Sequence, residues 1–382
     1  MSRFERISVD GFRRLCDLEI ELRPLTVLIG ANGSGKTSIL DVFSLLAASA
    51  AGGMKDKISD YSGIAALLTL DGSQQMAFGL SMAIPDYEPL HYSLKLSPTG
   101  VAYEIAEETL SQQRRPSPPP QWYIQSQRGD IRYFEIDSNR LVRPNWEHNP
   151  TETSLSQVPK MFREPEDFRG RLASSTYYHV LNVDPRAPVR LPQPLRPATT
   201  PGRDGSDLVS CLFYLREADR GRFETIEDTL HTAFSSFERL DFPPVAAGTL
   251  AMTWKDREFS RPLYMHQLSE GMLRFLWLIT LLQSPGLTAI TLLDEPDVSL
   301  HPELLSLLAG LMREASQRTL LIVATHADRL VRFLEPKEVV TLNVAEDGMT
   351  KAAWADQLDL EGWLSEYTLD EVWRLGRMGG RS

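Results

Sequence analysis

Cysteine is almost missing from these 382 residues; Cys16 and Cys211 are the only two. Two isolated cysteines exclude a disulfide framework and a Cys-x-x-Cys zinc site, and they suit a reducing cytoplasm. Long apolar runs are missing too. None reaches the roughly 18 residues expected of a transmembrane helix. The opening Met1-Ser2-Arg3-Phe4-Glu5-Arg6 lacks the apolar core of a signal peptide. A cytoplasmic protein without membrane partners is the expectation. There is no internal repeat and no sustained heptad, which excludes a solenoid and a long coiled coil. Positive charge is in deficit, with 40 Lys and Arg against 51 Asp and Glu, a net −11. That balance argues against a uniformly basic nucleic-acid binder. Two segments depart from the average. Lys160 to Arg203 is basic and reads equally as a solvated loop surface or a phosphate-binding face. Ala355 to Glu371 carries six carboxylates and no Lys or Arg, either a wet face or a dock for a basic partner.

What is present is most informative at Gly30-Ala31-Asn32-Gly33-Ser34-Gly35-Lys36-Thr37-Ser38. These residues fit G-x-x-x-x-G-K-[ST], the phosphate-binding loop. A β-type run, Leu25–Ile29, leads in, and an apolar helical pattern through Ile39, Leu40, Val42, Phe43, Leu45 and Leu46 follows. Glycines let the backbone turn several N–H groups, including those of Asn32, Gly33, Ser34 and Gly35, onto one phosphate. The helix N-terminus adds partial positive charge. Lys36 would bridge the β- and γ-phosphates, and Thr37 would bind Mg²⁺, next to Ser38. ATP and Mg²⁺ are the expected cofactors.

Around this motif the sequence divides into four stretches. Residues 1–110 read as an N-terminal lobe of short strands around one helix, with an antiparallel β subdomain over 76–106. Residues 111–205 hold 14 of the 25 prolines, which breaks helices and central strands. They read as a partly basic insertion with short strands at Trp122–Gln125 and Ile131–Ile136 and long extended loops. Residues 206–345 alternate helices with apolar strands at Ala289–Leu293, Thr319–Ala324 and Val339–Val344, the pattern of a parallel sheet covered on both faces. Residues 346–382 form an acidic tail.

The C-terminal lobe carries further candidates. Asp294 and Glu295 close a buried strand, where ligands of α/β sheets collect. Beside a P-loop, Asp294 would hold Mg²⁺ through water and Glu295 would act as general base on the attacking water. Ser269 is a good N-cap for the apolar helix that follows. His326 follows another buried strand and could donate to a γ-phosphate; taken singly, it reads as a surface or capping residue.

The order of P-loop, Leu-Ser-x-Gly, Asp-Glu-Pro and Thr-His, each against its expected element, resembles the ABC-class ATPases of the RecF, SMC and OLD type. Leu268-Ser269-Glu270-Gly271 resembles the ABC signature, Asp294-Glu295 the Walker B acid and catalytic glutamate, and Asp297 to Pro302 the D-loop. His326 resembles the switch histidine. Gly11-Phe12-Arg13-Arg14-Leu15 resembles the N-terminal segment of SMC-like heads, where Arg13 would reach the nucleotide. The tail from Tyr367 to Gly380 is similar to the ending of small prokaryotic RecF-like AAA ATPases. The resemblance covers about residues 1–110 and 206–345. It implies an α/β P-loop NTPase with an ABC-type head, a mostly parallel core sheet flanked by helices beside an antiparallel β subdomain. It also implies a homodimer in which the signature, Ser269 and Gly271, completes the ATP site of the other copy, while Lys36, Glu295 and His326 serve catalysis. The settings it suggests are DNA maintenance or antiphage defence, with DNA or a separate nuclease-type effector as partner. A slow-turnover scaffold or sensor is the alternative, and a transporter subunit a remoter one. The chain departs from its relatives in four respects. Glu270 and Met272 stand in the signature where transporter ATPases carry Gly and Gln, and no coiled coil is encoded. A fused nuclease is not expected either. The glutamine loop has only Gln74 and Gln75 as candidates.

Overall fold

The computed structural model describes residues 2–69, 73–113, 120–135, 140–158, 163–246 and 248–379. Ile136, Lys160 and Gly380, named above, lie outside them. A six-stranded sheet forms the centre, in the order Thr176–Tyr178, Ile290–Asp294, Leu320–Ala324, Leu25–Gly30, Val339–Val344 and Thr350–Trp354. All neighbours are parallel except the last pair. The strand leading into the P-loop is thus central, between Leu320–Ala324 and Val339–Val344, and every one of its six residues is buried.

Alternation along these strands builds two cores. Leu25, Val27, Ile29, Leu293, Leu321 and Val323 face one side. Leu28, Ile290, Leu292, Leu320 and Ile322 face the other. A strand buried on both faces reads as a continuous apolar run, which is why the sequence pattern located these strands. The first side packs on the helices Leu208–Ala218, Arg220–Ala233, Glu270–Gln283 and Pro302–Ser316. The second side packs on the P-loop helix Lys36–Ala51 and on the helix Arg163–Ala173. Beyond these two lies an eight-stranded antiparallel sheet in the order Leu18–Glu21, Arg3–Asp10, Met76–Ile84, Tyr87–Thr99, Ala102–Gln112, Gln121–Gln127, Asp130–Glu135 and Arg140–Val142. The P-loop helix is therefore enclosed between two sheets, and its apolar residues run all the way round.

The Pro-rich segment is woven into both sheets. Residue 110 falls inside the Ala102–Gln112 strand, and the next three strands extend the same sheet. Thr176–Tyr178 supplies an edge of the parallel sheet. The segment also forms the Arg163–Ala173 helix, with Pro165 in its first turn, where a missing N–H costs nothing. A buried carboxylate anchors it: Glu108 accepts from Tyr92 Oη at 3.0 Å and from the Leu155 N–H at 2.9 Å. Glu152 accepts from Met54 N at 3.0 Å, at the start of a short helix.

In the acidic tail, Asp356 pairs with Arg23 at 2.7 Å and Asp370 with Arg374. Glu371 accepts from the Thr368 N–H at 2.9 Å. Asp356 ties the tail to the core, as does Arg374 through Asp328 at 3.2 Å, whereas Asp370 and Glu371 order the tail's own last helix. Among the described residues no helix is long and apolar enough to cross a membrane.

Candidate functional site

The P-loop turns sharply because Gly33 and Gly35 take left-handed conformations, φ 78° and 101°. At Gly35 a Cβ would meet Thr350 Oγ1 at 2.8 Å and the Leu15 side chain at 3.1 Å, so only glycine fits. Thr350 also donates to the Ser34 carbonyl at 2.9 Å, which pins the loop to the sheet's antiparallel edge strand. Asn32 and Thr37 face solvent. Lys36 folds back onto the Gly30 and Ala31 carbonyls at 2.7 and 2.9 Å. Burial lowers its pKa, opposed by the carboxylates of Glu295 and Asp294. Ser34 Oγ is buried without a hydrogen-bond partner. A glycine-only cradle, an orphaned hydroxyl and a lysine resting on its own loop all fit a polyphosphate.

The Ile290–Asp294 strand brings its acids to the same end of the sheet. Asp294 accepts from Tyr177 Oη at 2.9 Å. Burial raises its pKa, opposed by the Tyr177 bond and reinforced by Glu295. Glu295 sits at φ 49°, its N–H donating to the Ala324 carbonyl at 2.8 Å. That left-handed residue turns the chain out of the sheet and lifts the carboxylate onto His326 Nδ1 at 2.8 Å. Below it, Asp297 accepts from Thr325 Oγ1 at 2.6 Å, tying the ends of two adjacent strands together. Among the described residues no three His, Cys, Asp or Glu side chains are placed to hold a metal alone. Thr37 and Asp294 would hold Mg²⁺ together with nucleotide phosphates, as this ion commonly requires.

Arg13, φ 51°, bonds Asp41 Oδ2 at 2.6 Å and Ser38 Oγ at 3.4 Å. Tyr61 Oη donates to the other Asp41 oxygen at 3.0 Å. The guanidinium therefore lies beside the P-loop helix, held by a carboxylate of that helix. Next to it a cavity of about 400 Å³ is lined by Arg13, Arg14, Ala65, Leu68, Thr69 and Met349.

The signature stands apart from these groups. Ser269 is exposed and caps its own helix, accepting from Met272 N at 3.3 Å. Gly271 lies against the Ser299 carbonyl, 2.9 Å from where a Cβ would sit. Arg274 donates to Ser299 Oγ at 2.8 Å, so the helix start is docked on the turn after Glu295. None of the hydrogen bonds made by Ser269 reaches residues 30–38.

Sequence reasoning missed Tyr177, Asp41 and His179, whose ring lies 4.0 Å from that of Tyr177. Asp41 had a signal, a carboxylate inside an apolar helix. Tyr177 had none, because its role comes from strand pairing across 117 residues. The glutamine candidates Gln74 and Gln75 are exposed ahead of the Met76–Ile84 strand. The basic segment is more neutral than its count implies. Arg169, Arg171 and Arg196 are ion-paired with Glu166, Asp167 and Asp207.

Fold and motif order together define the class, a P-loop AAA-type domain with the fold of an SMC head. The chain belongs to the family described as "AAA domain, putative AbiEii toxin, Type IV TA system", whose model matches residues 25–332. An Smc head solved bound to the C-winged helix domain of ScpA is similar in fold, with a TM-score of 0.56 and 16% identity, over 92% of this chain and 97% of that one. A Pyrococcus furiosus Smc head with an extended coiled coil, bound to the C-terminal domain of ScpA, gives 0.54 and 13%, over 96% and 98%. No curated protein matches the sequence.

Proposed function

We propose that this chain binds and hydrolyses ATP, and that two copies close head to head on the nucleotide as a cytoplasmic switch. One observation carries the reading. Lys36, Thr37, Asp294, Glu295 and His326 gather at one end of the parallel sheet, while the signature presents Ser269 and a helix N-terminus to solvent. Each copy thus offers one half of an anion site, and a second copy supplies the other half.

Within one head, Lys36 would leave its loop carbonyls for the phosphate oxygens, and Ser34 Oγ would gain a partner. Glu295 would take the proton of the attacking water, and His326 would donate to the γ-phosphate. Mg²⁺, when bound between Thr37 and Asp294, would neutralise charge on the β- and γ-phosphates. Arg13, bonded to Asp41 and Ser38 of the P-loop helix, would reach the nucleotide. From the second copy, Ser269 and the N–H groups after it would meet the γ-phosphate. ATP then joins the copies and hydrolysis frees them.

The switch would act in antiphage defence or DNA maintenance, on nucleic acid or through a separately encoded, nuclease-type effector. The family description, which names a toxin of a toxin–antitoxin system, supports a defence setting. The Smc heads bound to ScpA support a head that works with another protein. Ser269→Arg tests the reading. Nucleotide binding is expected to persist while ATP-dependent dimerisation and turnover disappear. Wild-type turnover by this variant would refute the shared site.

A further inference from the structure

Arg190 lies in the Pro-rich segment, and both Nε and Nη1 of its guanidinium donate to main-chain carbonyls. Nε donates to the Val183 carbonyl at 2.6 Å. Nη1 donates to the Leu268 carbonyl at 2.9 Å and to the His266 carbonyl at 3.3 Å. Leu268 immediately precedes Ser269, so this side chain holds the peptide through which the chain enters the signature helix. The other end of the segment starts at Tyr177, which donates to Asp294. Between the two, Leu181, Val183, Ala187 and Val189 are buried, and Ala187 N bonds the Asp184 carbonyl at 2.9 Å. Tyr178 packs on Trp277 of the signature helix with ring centroids 5.7 Å apart. A short, packed connection thus runs from the Walker B acid to the signature loop.

We infer that Arg190 is a positioning residue for Ser269, setting the signature for the phosphate bound by the other copy, and that residues 177–190 link each head's own metal side to that signature. The inference rests on the shared-site reading. The physical reason lies in the donor set. A planar guanidinium satisfies three carbonyls from two loops at once and holds them at fixed separation. Gln267 Oε1, accepting from Tyr264 N at 2.9 Å, and the Arg274 bond to Ser299 Oγ at 2.8 Å hold the two sides of this turn, and Arg190 holds the carbonyl that directly precedes Ser269. If Tyr177 shifts with Asp294, the 178–190 segment carries the shift to Leu268.

Subunit mixing tests this on the full chain. Arg190→Ala should bind nucleotide as the wild type does, with turnover about tenfold to a hundredfold lower, the usual effect of losing charged hydrogen bonds. Arg190→Lys, able to reach one carbonyl, should recover part of it. Lys36→Ala, which disables the P-loop, should be inactive alone. A 1:1 mixture of Arg190→Ala and Lys36→Ala should regain roughly a quarter of wild-type activity, because half of the dimers are mixed and each of these has one intact site. A merely misfolded Arg190→Ala subunit could not supply the working P-loop this requires. Ser269→Arg mixed with Lys36→Ala is the control. Recovery in the control but not with Arg190→Ala overturns the role of Arg190 and leaves the shared site standing. Recovery in neither overturns both.

Discussion

Glu295→Gln separates chemistry from folding, because the structure gives the two effects very different sizes. Gln keeps the volume of Glu and removes the charge and the base. The carboxylate's partner is His326 Nδ1 at 2.8 Å, and the two side chains are 37% and 49% exposed. A pair this wet contributes about 0–1 kcal/mol, and Gln Oε1 still accepts from the imidazole. The melting temperature should therefore move by no more than about 2–4 °C. A general base is worth about 10²–10⁴ in rate, which is ~2.7–5.5 kcal/mol of barrier. Three measurements on one preparation decide the matter. Thermal melting should be nearly unchanged, single-turnover hydrolysis should fall at least a hundredfold by the same estimate, and light scattering should show a dimer trapped by ATP. Turnover within tenfold of wild type at unchanged melting would remove Glu295 from the role of base. Lost turnover with a large fall in melting temperature would assign the effect to folding. Glu295→Gly sharpens the contrast. Position 295 has φ 49°, where a side chain costs roughly 1–2 kcal/mol, so glycine should stabilise the fold while abolishing hydrolysis.

Asp294→Asn should raise the melting temperature of ligand-free protein at neutral pH and abolish Mg²⁺-dependent turnover. Burial lifts the Asp294 pKa above its ordinary 3.8, so the fold holds that proton more tightly than the unfolded chain. The stability it contributes is full at low pH and is lost as pH rises from 3.8 through the raised value. A variant melting below wild type at pH 7 would contradict this. Tyr177→Phe leaves the Asp294 carboxylate without its donor. The acidic limb of the ATPase pH profile should move up by about one unit, the equivalent of a charged hydrogen bond of ~1.5 kcal/mol; an unmoved limb would refute the coupling. Gly35→Ala forces a Cβ to 2.8 Å from Thr350 Oγ1 at φ 101°. It should destabilise the fold by about 1–2 kcal/mol or more and abolish nucleotide binding; wild-type melting and affinity would refute the cradle geometry.

The α/β class and the motif placement were legible because they rest on local signals. Leu25–Gly30 and Leu320–Ala324 are buried on both faces, so each is an unbroken apolar run. Ser269 caps the Glu270–Gln283 helix, as an exposed serine before an apolar pattern announces. The middle of the chain was less legible. Two of its short strands were legible, and as Gln121–Gln127 and Asp130–Glu135 they extend the antiparallel sheet, but nothing in the sequence announced Thr176–Tyr178, which joins the edge of the parallel one. Three or four residues at a sheet edge leave almost no periodicity to detect. An edge strand also tolerates nearby prolines, which exclude only helix interiors and central strands.

The sequence by itself determined which chemistry the chain is equipped for. Glycine spacing, a following lysine and a strand-ending acid pair are set by backbone conformation over a few residues, and composition decided what to exclude. Only the tertiary structure decided how those groups are divided. Strand order puts Lys36, Asp294, Glu295 and His326 at one end of one sheet and adds Tyr177 from 117 residues away. Helix packing leaves Ser269 facing outward, with Arg190 behind it. These placements depend on pairing and burial between distant segments, and no local pattern encodes them.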